Sequence, residues 1–162
     1  LDLRVAGAET GGLALKVATL GADLRDGVAD LVLNAEGDVG LPVVLAAAAS
    51  VPLDPADGPI TVGRLDADLG DAALRQRGPI RIDLDGGPRI DGLDLAIDDG
   101  RVSGHAGLDP VDLDVDIVLR GLPAALARLA DPTLELDGRI DGEIVVTGPL
   151  ENPVGRVALS TA

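Results

Sequence analysis

Apolar and polar residues alternate along most of this chain with a period of two residues. In the longest run, residues 111–119, apolar side chains occupy the odd positions, and Asp112, Asp114 and Asp116 occupy three of the even ones. Because successive side chains of a strand point to opposite faces, this run predicts a β-strand with one apolar and one acidic face. The same alternation is clear over residues 80–85, 93–97 and 134–146, and weaker over 3–5, 13–17, 28–33, 43–47, 60–69 and 154–159.

Turn signals separate these runs. Asp98-Asp99-Gly100 joins two alternating runs, as expected of a tight hairpin turn. Four Gly-Pro dipeptides each stand beside a predicted strand, and a Gly-Arg-aliphatic triplet recurs four times. These signals predict an irregular repeat of hairpin units that must stack into one sheet to bury their apolar faces. The dipeptides occupy 58–59, 78–79, 87–88 and 148–149, and the triplets begin at Gly63, Gly100, Gly138 and Gly155.

One segment departs from the alternation and predicts a short amphipathic helix over residues 122–130. Pro123 suits a first helical position, and the dipeptide Asp131-Pro132 would end the helix. The apolar stripe of this predicted helix consists of Leu122, Ala125, Leu126 and Leu129.

The predicted fold class is all-β, a long curled antiparallel or mixed sheet of repeat or solenoid character with that one helix. A single short helix cannot cover the apolar faces of about ten predicted strands. A second sheet, a closed barrel or a trough filled by an apolar ligand would each solve this problem. The chain contains no Phe, Tyr or Trp, which usually fill sandwich cores, so the composition favours the trough.

The charge balance excludes some classes of partner. With 13 Lys and Arg against 28 Asp and Glu, the formal net charge is −15, which argues against binding to nucleic acid. It also argues against docking on anionic lipid headgroups. The absence of cysteine excludes disulfides and thiol catalysis but leaves the compartment open.

The sequence offers few candidate residues for catalysis or metal binding. The single histidine, His105, lies on the face opposite Val102 and is expected to point to solvent. Without a second histidine or any cysteine, a transition-metal site or a Ser-His or Cys-His pair lacks its parts. The aspartates of residues 112–116 are expected to be a solvated face, with a weak calcium site as the alternative. We therefore expect no catalytic residue, no metal site, no cofactor and no enzymatic activity.

Residues 78–162 resemble the repeat region of the TamB family, the translocation and assembly module proteins. The likeness extends more distantly to the AsmA-like proteins and other bridge-like lipid transport proteins. It rests on four motifs in a fixed order: Gly-Pro-Ile-Arg-Ile-Asp-Leu-Asp-Gly at 78–86, the hairpin at 93–104, Leu-Pro-Ala-Ala-Leu at 122–126, and the Gly, aliphatic and Pro spacing of 136–153. Residues 1–77 share only the general style of the repeats, so we divide the chain into two β-repeat segments, 1–77 and 78–162.

The resemblance implies a groove-shaped, taco-like sheet that carries phospholipid between the inner and outer membranes of a Gram-negative cell. It equally implies a role in outer-membrane biogenesis through protein assembly or secretion. The parent protein would be anchored in the inner membrane, span the periplasm and work with TamA, an outer-membrane protein of the Omp85 class. Because the pattern starts and stops within a repeat, we expect the chain to be a segment of such a larger protein.

Phospholipid acyl chains are the expected ligand, and the apolar positions of the alternating runs are the expected groove lining. The strand candidates are Ile80, Ile82, Leu84, Leu93, Leu95, Ile97, Val102, Val111, Leu113, Val115, Ile117, Leu119, Leu136, Ile140, Ile144 and Val146, and the predicted helix adds Leu122, Ala125, Leu126 and Leu129.

Two other functions remain open from the sequence. A structural β-solenoid or adhesin-like passenger module would need no ligand, although it should show regular repeats with ladders of Asn, Thr and Ser. A hydrolase acting through paired carboxylates would usually hold its substrate with aromatic side chains, which this chain lacks.

Overall fold

The computed structural model describes residues 1–10, 13–38, 40–129 and 137–161, and most of them lie in one antiparallel sheet of twelve strands. The predicted all-β class is confirmed, with every pair of strands antiparallel. The strands are β1 (Asp2–Thr10), β2 (Leu13–Arg25), β3 (Val28–Asp38), β4 (Pro42–Pro52), β5 (Ile60–Leu69), β6 (Ala72–Gln76), β7 (Ile80–Asp83), β8 (Arg89–Ile97), β9 (Gly100–Leu108), β10 (Asp112–Pro123), β11 (Arg139–Pro149) and β12 (Val154–Thr161).

Each strand pairs with the next along the chain, with one exception in the middle of the sheet. Both β6 and β7 pair with β5 on one side and β8 on the other, so together they form one strand position that is broken at residues 77–79. The outermost strands are β1 and β12, and in the described ranges each pairs on one side only.

Glycine-containing turns set the limits of the strands as the sequence predicts. Each of the four Gly-Pro dipeptides directly precedes a strand or ends one. The hairpin between β8 and β9 is closed by Ile97 opposite Gly100, with Asp98 at φ 51°. Asp26 and Gly27 join β2 to β3 with φ values of 49° and 79°, the positive pair that a type I′ turn requires.

Irregular pairing bends several strands. Extra residues enter β5 at Gly63, β8 near Gly92 and β10 near Gly121, and each shifts the register against the neighbouring strand. Gly92 has φ 72°, and a Cβ there would lie 2.8 Å from the carbonyl oxygen of Pro79, so no other residue fits without strain. Bulges of this kind increase local twist and bend, which helps to curl the sheet.

The predicted helix over 122–130 is wrong. Strand β10 continues to Pro123, with Leu122 opposite Ile140, and only a 3₁₀ segment, Ala124–Leu129, follows. The bulge after Leu119 lets the chain resume its pairing with β11. The residues of the predicted helix that remain after β10 ends are too few for a stable α-helix. A second 3₁₀ segment, Pro55–Asp57, links β4 to β5. In the described ranges no helix has the length and apolar character needed to cross a membrane.

The core is thin and lies in the middle of the sheet. The described hydrophobic residues that are buried are Ala67, Ile80 and Ile97 in the middle of the sheet and Ala124 after β10, and no described polar or charged residue is buried. The accessible surface is 10015 Å², whereas a compact monomer of 16.3 kDa exposes about 7,500 Å². The extra area is expected if one side of a single sheet has no second layer to cover it.

Candidate functional site

The register of the strands gathers the apolar positions on one side of the sheet, which we call the apolar face. Val115 of β10 lies opposite Ala106 on one neighbour and Val146 on the other. Ile117 likewise lies between Gly104 and Ile144. Since residues directly opposite one another project to the same side, the alternation of each strand extends across the sheet.

The apolar face continues through the first half of the chain, where the sequence pattern is weaker. Leu45 of β4 lies opposite Ala35 and Ala67, and Leu33 of β3 lies opposite Leu20. Residues 1–77 therefore contribute as much length to this face as residues 78–162. Lining positions in β2 to β5 were missed, because many are alanines and β4 is apolar on both faces, which hides the period of two.

The register places most of the predicted lining residues on the apolar face. They are Ile80, Ile82, Leu93, Leu95, Ile97, Val102, Leu113, Val115, Ile117, Leu119, Leu122, Ile140, Ile144 and Val146.

Six predicted lining residues stand elsewhere or outside the described part. Leu84 follows β7 and borders a small cavity of about 60 Å³ with Ile60 and Ile82. Val111 lies in the turn before β10 and is 65% exposed. Ala125 and Leu126 lie in the 3₁₀ segment rather than on a predicted amphipathic helix. Leu136 and the side chain of Leu129 lie outside the described residues.

Exposure on the apolar face increases from the middle of the sheet toward its rims. Ile80 and Ile97, near the middle, are 5% and 6% exposed, whereas Leu3 of β1 and Leu159 of β12 are 55% and 63% exposed. The lining residues between these limits are mostly half-buried. A curled single sheet explains this gradient, because the middle is sheltered by its own curvature and the rims are not.

One polar side chain, Gln76 of β6, stands opposite Leu95 on the apolar face. Its amide nitrogen donates hydrogen bonds to the carbonyl oxygens of Val62 at 2.7 Å and Gly78 at 2.5 Å. These bonds lie at the break between β6 and β7, where the ladder is interrupted. Its buried carbonyl oxygen has no hydrogen-bond partner in the described structure. Gln76 therefore replaces missing backbone pairing in the floor of the groove.

The opposite side, which we call the outer face, carries the charges. Arg101 donates to Asp94 at 2.7 Å, and Arg75 donates to Asp68 at 2.8 Å. The hydrogen bond from Arg101 holds the pKa of Asp94 below its ordinary value. These side chains are exposed or, in the case of Asp94, half-buried, so each pair adds little stability, but together they keep this face in water.

His105 and the aspartates of β10 lie on the outer face, as the alternation predicts. The Nε2 atom of His105 is 3.3 Å from a carboxylate oxygen of Asp114. Asp112 and Asp114 border a shallow depression of about 170 Å³ with Asp109, whose carboxylate accepts from two backbone amides of its own turn. Within the ranges that the structure covers, no group of three or more candidate ligands is placed to hold a metal ion.

Residues 123–126, where β10 ends and the 3₁₀ segment begins, lie at one end of the groove, and we call them the strap. Pro123 and Leu126 border a cavity of about 430 Å³ whose other wall includes Leu41, at the start of β4. In the sheet β4 and β10 are five strand positions apart, which on a flat sheet corresponds to about 24 Å. The curl of the sheet and the path of the strap must together bridge that distance. Ala124 of the strap is only 2% exposed.

The chain was compared with known proteins at three levels, and no family model, curated protein or solved structure matches it.

Proposed function

We propose that this chain is a groove segment that binds the acyl chains of phospholipids and conducts them between two membranes. The observation that carries the proposal is the apolar face. It extends from β1 to β12 in continuous register, and the described residues place no second sheet against it. A face of this size in water needs an apolar partner.

The side chains of this face suit a flexible hydrocarbon. They are Leu, Val, Ile and Ala, with glycine between them and no aromatic ring. Transfer of an acyl chain from a bilayer to water costs about 0.8 kcal/mol per methylene, or about 12 kcal/mol for sixteen carbons. A long aliphatic groove offsets this cost through contacts along its whole length, and conduction then requires no catalytic group.

The gradient of exposure supports an open groove rather than a sealed cavity. Half-buried lining residues keep part of their surface available to a ligand, and the exposed rims at β1 and β12 leave a long opening. A phospholipid held in this way keeps its headgroup in water while its chains contact the apolar face.

The resemblance to TamB repeats supports the cellular setting of the proposal. In that setting the segment lies in the periplasm, within a larger protein anchored in the inner membrane, and delivers lipid toward an outer-membrane partner of the Omp85 class such as TamA. Assembly or secretion of outer-membrane proteins is the other role that the resemblance supports.

The test compares two charges placed in the groove on β10 with two charges placed on the outer face of β10 and its neighbour β11. Val115→Arg with Ile117→Arg puts two charges in the groove, whereas Val118→Arg with Val145→Arg puts two on the outer face. The readout is crosslinking of a phospholipid that carries a photoreactive diazirine on its acyl chain. Circular dichroism verifies that both variants keep their strands.

We expect the groove pair to reduce crosslinking at least fivefold, because the charges interrupt the hydrocarbon path. The outer-face pair should crosslink like the unmodified chain. Equal crosslinking by both variants would contradict the proposal. Absence of crosslinking even to the unmodified chain would favour a structural module without a ligand.

A further inference from the structure

The cavity bordered by the strap differs in chemistry from the rest of the groove. Its walls are formed by Leu41, Leu69, Ala72 and Leu126, which together make an aliphatic surface. Its volume of about 430 Å³ lies within the range of small-molecule sites, about 300–1,000 Å³.

Two carboxylates border this cavity, and no Lys or Arg lines it among the residues whose side chains the structure describes. Asp71 lies in the turn between β5 and β6, and Asp98 lies in the turn between β8 and β9. Both side chains are exposed. The Oδ1 atom of Asp98 accepts a hydrogen bond from the backbone amide of Ala73 at 2.9 Å, which fixes this carboxylate beside β6.

An aliphatic wall next to two carboxylates complements an amphiphile with a hydrocarbon chain and a cationic head. The overall charge of −15 adds to this preference, since it repels anions and attracts cations from a distance. Arg120, the described cation nearest in sequence to the strap, lies opposite Arg101 on the outer face. The guanidinium of Arg139 donates to Asp99 at 3.0 Å and to Gly121. Among the described side chains the border of the cavity is therefore net negative.

We propose that the strap cavity is a headgroup-selective site that takes the ammonium group of a zwitterionic phospholipid at Asp71 and Asp98. The inference rests on the proposed function and adds a substrate class to it. The acyl chain lies against Leu41, Leu69 and Leu126, and the ammonium group lies between the two carboxylates. A phospholipid with an anionic head and no ammonium group is disfavoured at this end of the groove.

The experiment measures binding of two lipids with the same sixteen-carbon chain by isothermal titration calorimetry. The probes are palmitoyl lysophosphatidylethanolamine, which carries an ammonium group, and palmitoyl lysophosphatidylglycerol, which does not. The site variant is Asp71→Asn with Asp98→Asn. Asparagine keeps the size of the side chain, accepts the bond from Ala73 and tolerates the φ of 51° at position 98.

A matched control removes the same number of charges at the other end of the strands. Asp26→Asn with Asp57→Asn changes two exposed turn residues, and Asp26 has a positive φ of 49° like that of Asp98. This control has the same net charge as the site variant, so it separates the local effect from the effect of overall charge.

The unmodified chain should bind the ethanolamine lipid about tenfold more tightly than the glycerol lipid at low salt, as two partly exposed ionic contacts allow. The preference should fall below about twofold in the site variant, persist in the control, and weaken at high ionic strength.

Equal binding of both lipids by the unmodified chain would overturn the headgroup site and leave the groove proposal intact. A preference that survives in the site variant, or that disappears equally in the control, would also overturn the headgroup site. Failure to bind either lipid would overturn both proposals.

Discussion

The middle of the sheet and its two rims are built from similar alternating strands, yet they differ sharply in burial. Ala67 and Ile97 in the middle are each 6% exposed, whereas Val157 on the β12 rim is 62% exposed. Strands in the middle have neighbours on both sides, while β1 and β12 each pair on one side in the described ranges. Burial in this molecule therefore depends on position in the curl more than on residue type.

The middle of the sheet is also less regular than the strands β2 to β4 that precede it along the chain. Strands β2, β3 and β4 run for 13, 11 and 11 residues, whereas the middle contains the short strands β6 and β7, of 5 and 4 residues. The break between them, with Gly63 and Gly92 in the adjoining strands, places the most irregular backbone beside the most buried side chains. We infer that irregularity in the middle is what allows the sheet to curl there.

The middle and the rim should differ most in how much stability is lost when a charge is placed on the apolar face. Ile97→Asp should lower the free energy of unfolding by more than about 4 kcal/mol, since it puts an unpaired carboxylate among buried aliphatic groups. Leu159→Asp makes the same chemical change at a rim residue and should cost less than about 1 kcal/mol. Urea denaturation followed by circular dichroism measures both. Equal losses would show that the rim is covered in solution.

A smaller loss of stability is expected when the polar bridge that Gln76 forms at the break between β6 and β7 is removed. Gln76→Leu leaves the carbonyl oxygens of Val62 and Gly78 without their donor, so the free energy of unfolding should fall by about 2 kcal/mol. Asn34→Leu, on the exposed outer face of β3, serves as the control and should change it by less than about 0.5 kcal/mol. If Gln76→Leu is neutral or stabilising in urea denaturation, the bridge is not required for the break.

The ion pair of Asp94 and Arg101, on the outer face of the middle strands, should make the stability of the fold depend on pH. Because the pKa of Asp94 is lowered in the folded state, its stabilising effect is present above its unfolded pKa of about 4. That effect is lost as the pH falls through the lowered value. Asp94→Asn should therefore reduce stability at pH 7, and the difference from the unmodified chain should close in acid.

Urea denaturation at a series of pH values checks this expectation. Asp112→Asn, an exposed position on the same face, is the matched control and should show no loss at pH 7. If the difference in the free energy of unfolding between Asp94→Asn and the unmodified chain persists unchanged at pH 2, the effect is not electrostatic.

The smallest effect on stability is expected at the rim itself. Val157→Lys changes an exposed residue of an outermost strand, so unfolding should change by less than about 0.5 kcal/mol. Self-association should nevertheless fall, because lysine on an edge strand disfavours pairing with a second edge. Sedimentation velocity at several concentrations measures this, and an unchanged mass distribution would indicate that this rim does not self-associate.

Local pattern was sufficient to predict the strand class and the two faces. Alternation over residues 111–119 assigned Leu113, Val115, Ile117 and Leu119 to one face, and the register confirms it. Gly-Pro and Asp-Asp-Gly fixed strand limits, because the backbone preferences of glycine and proline act within a few residues. These features need no knowledge of distant contacts, so the sequence by itself determined them.

Only the tertiary structure decided where β10 ends, how the break between β6 and β7 is bridged and how the sheet curls. The sequence of residues 122–130 favours a helix, but pairing of Leu122 with Ile140 extends β10 and leaves only the 3₁₀ segment. Gln76 bridges the break only because β5 brings the carbonyl of Val62 within its reach, whereas its second acceptor, Gly78, is two residues away in sequence. The strap and Leu41 border the same cavity only because the sheet curls. Each outcome depends on residues far apart in sequence or on the competition between strand pairing and local propensity, and a period of two residues carries no information about either.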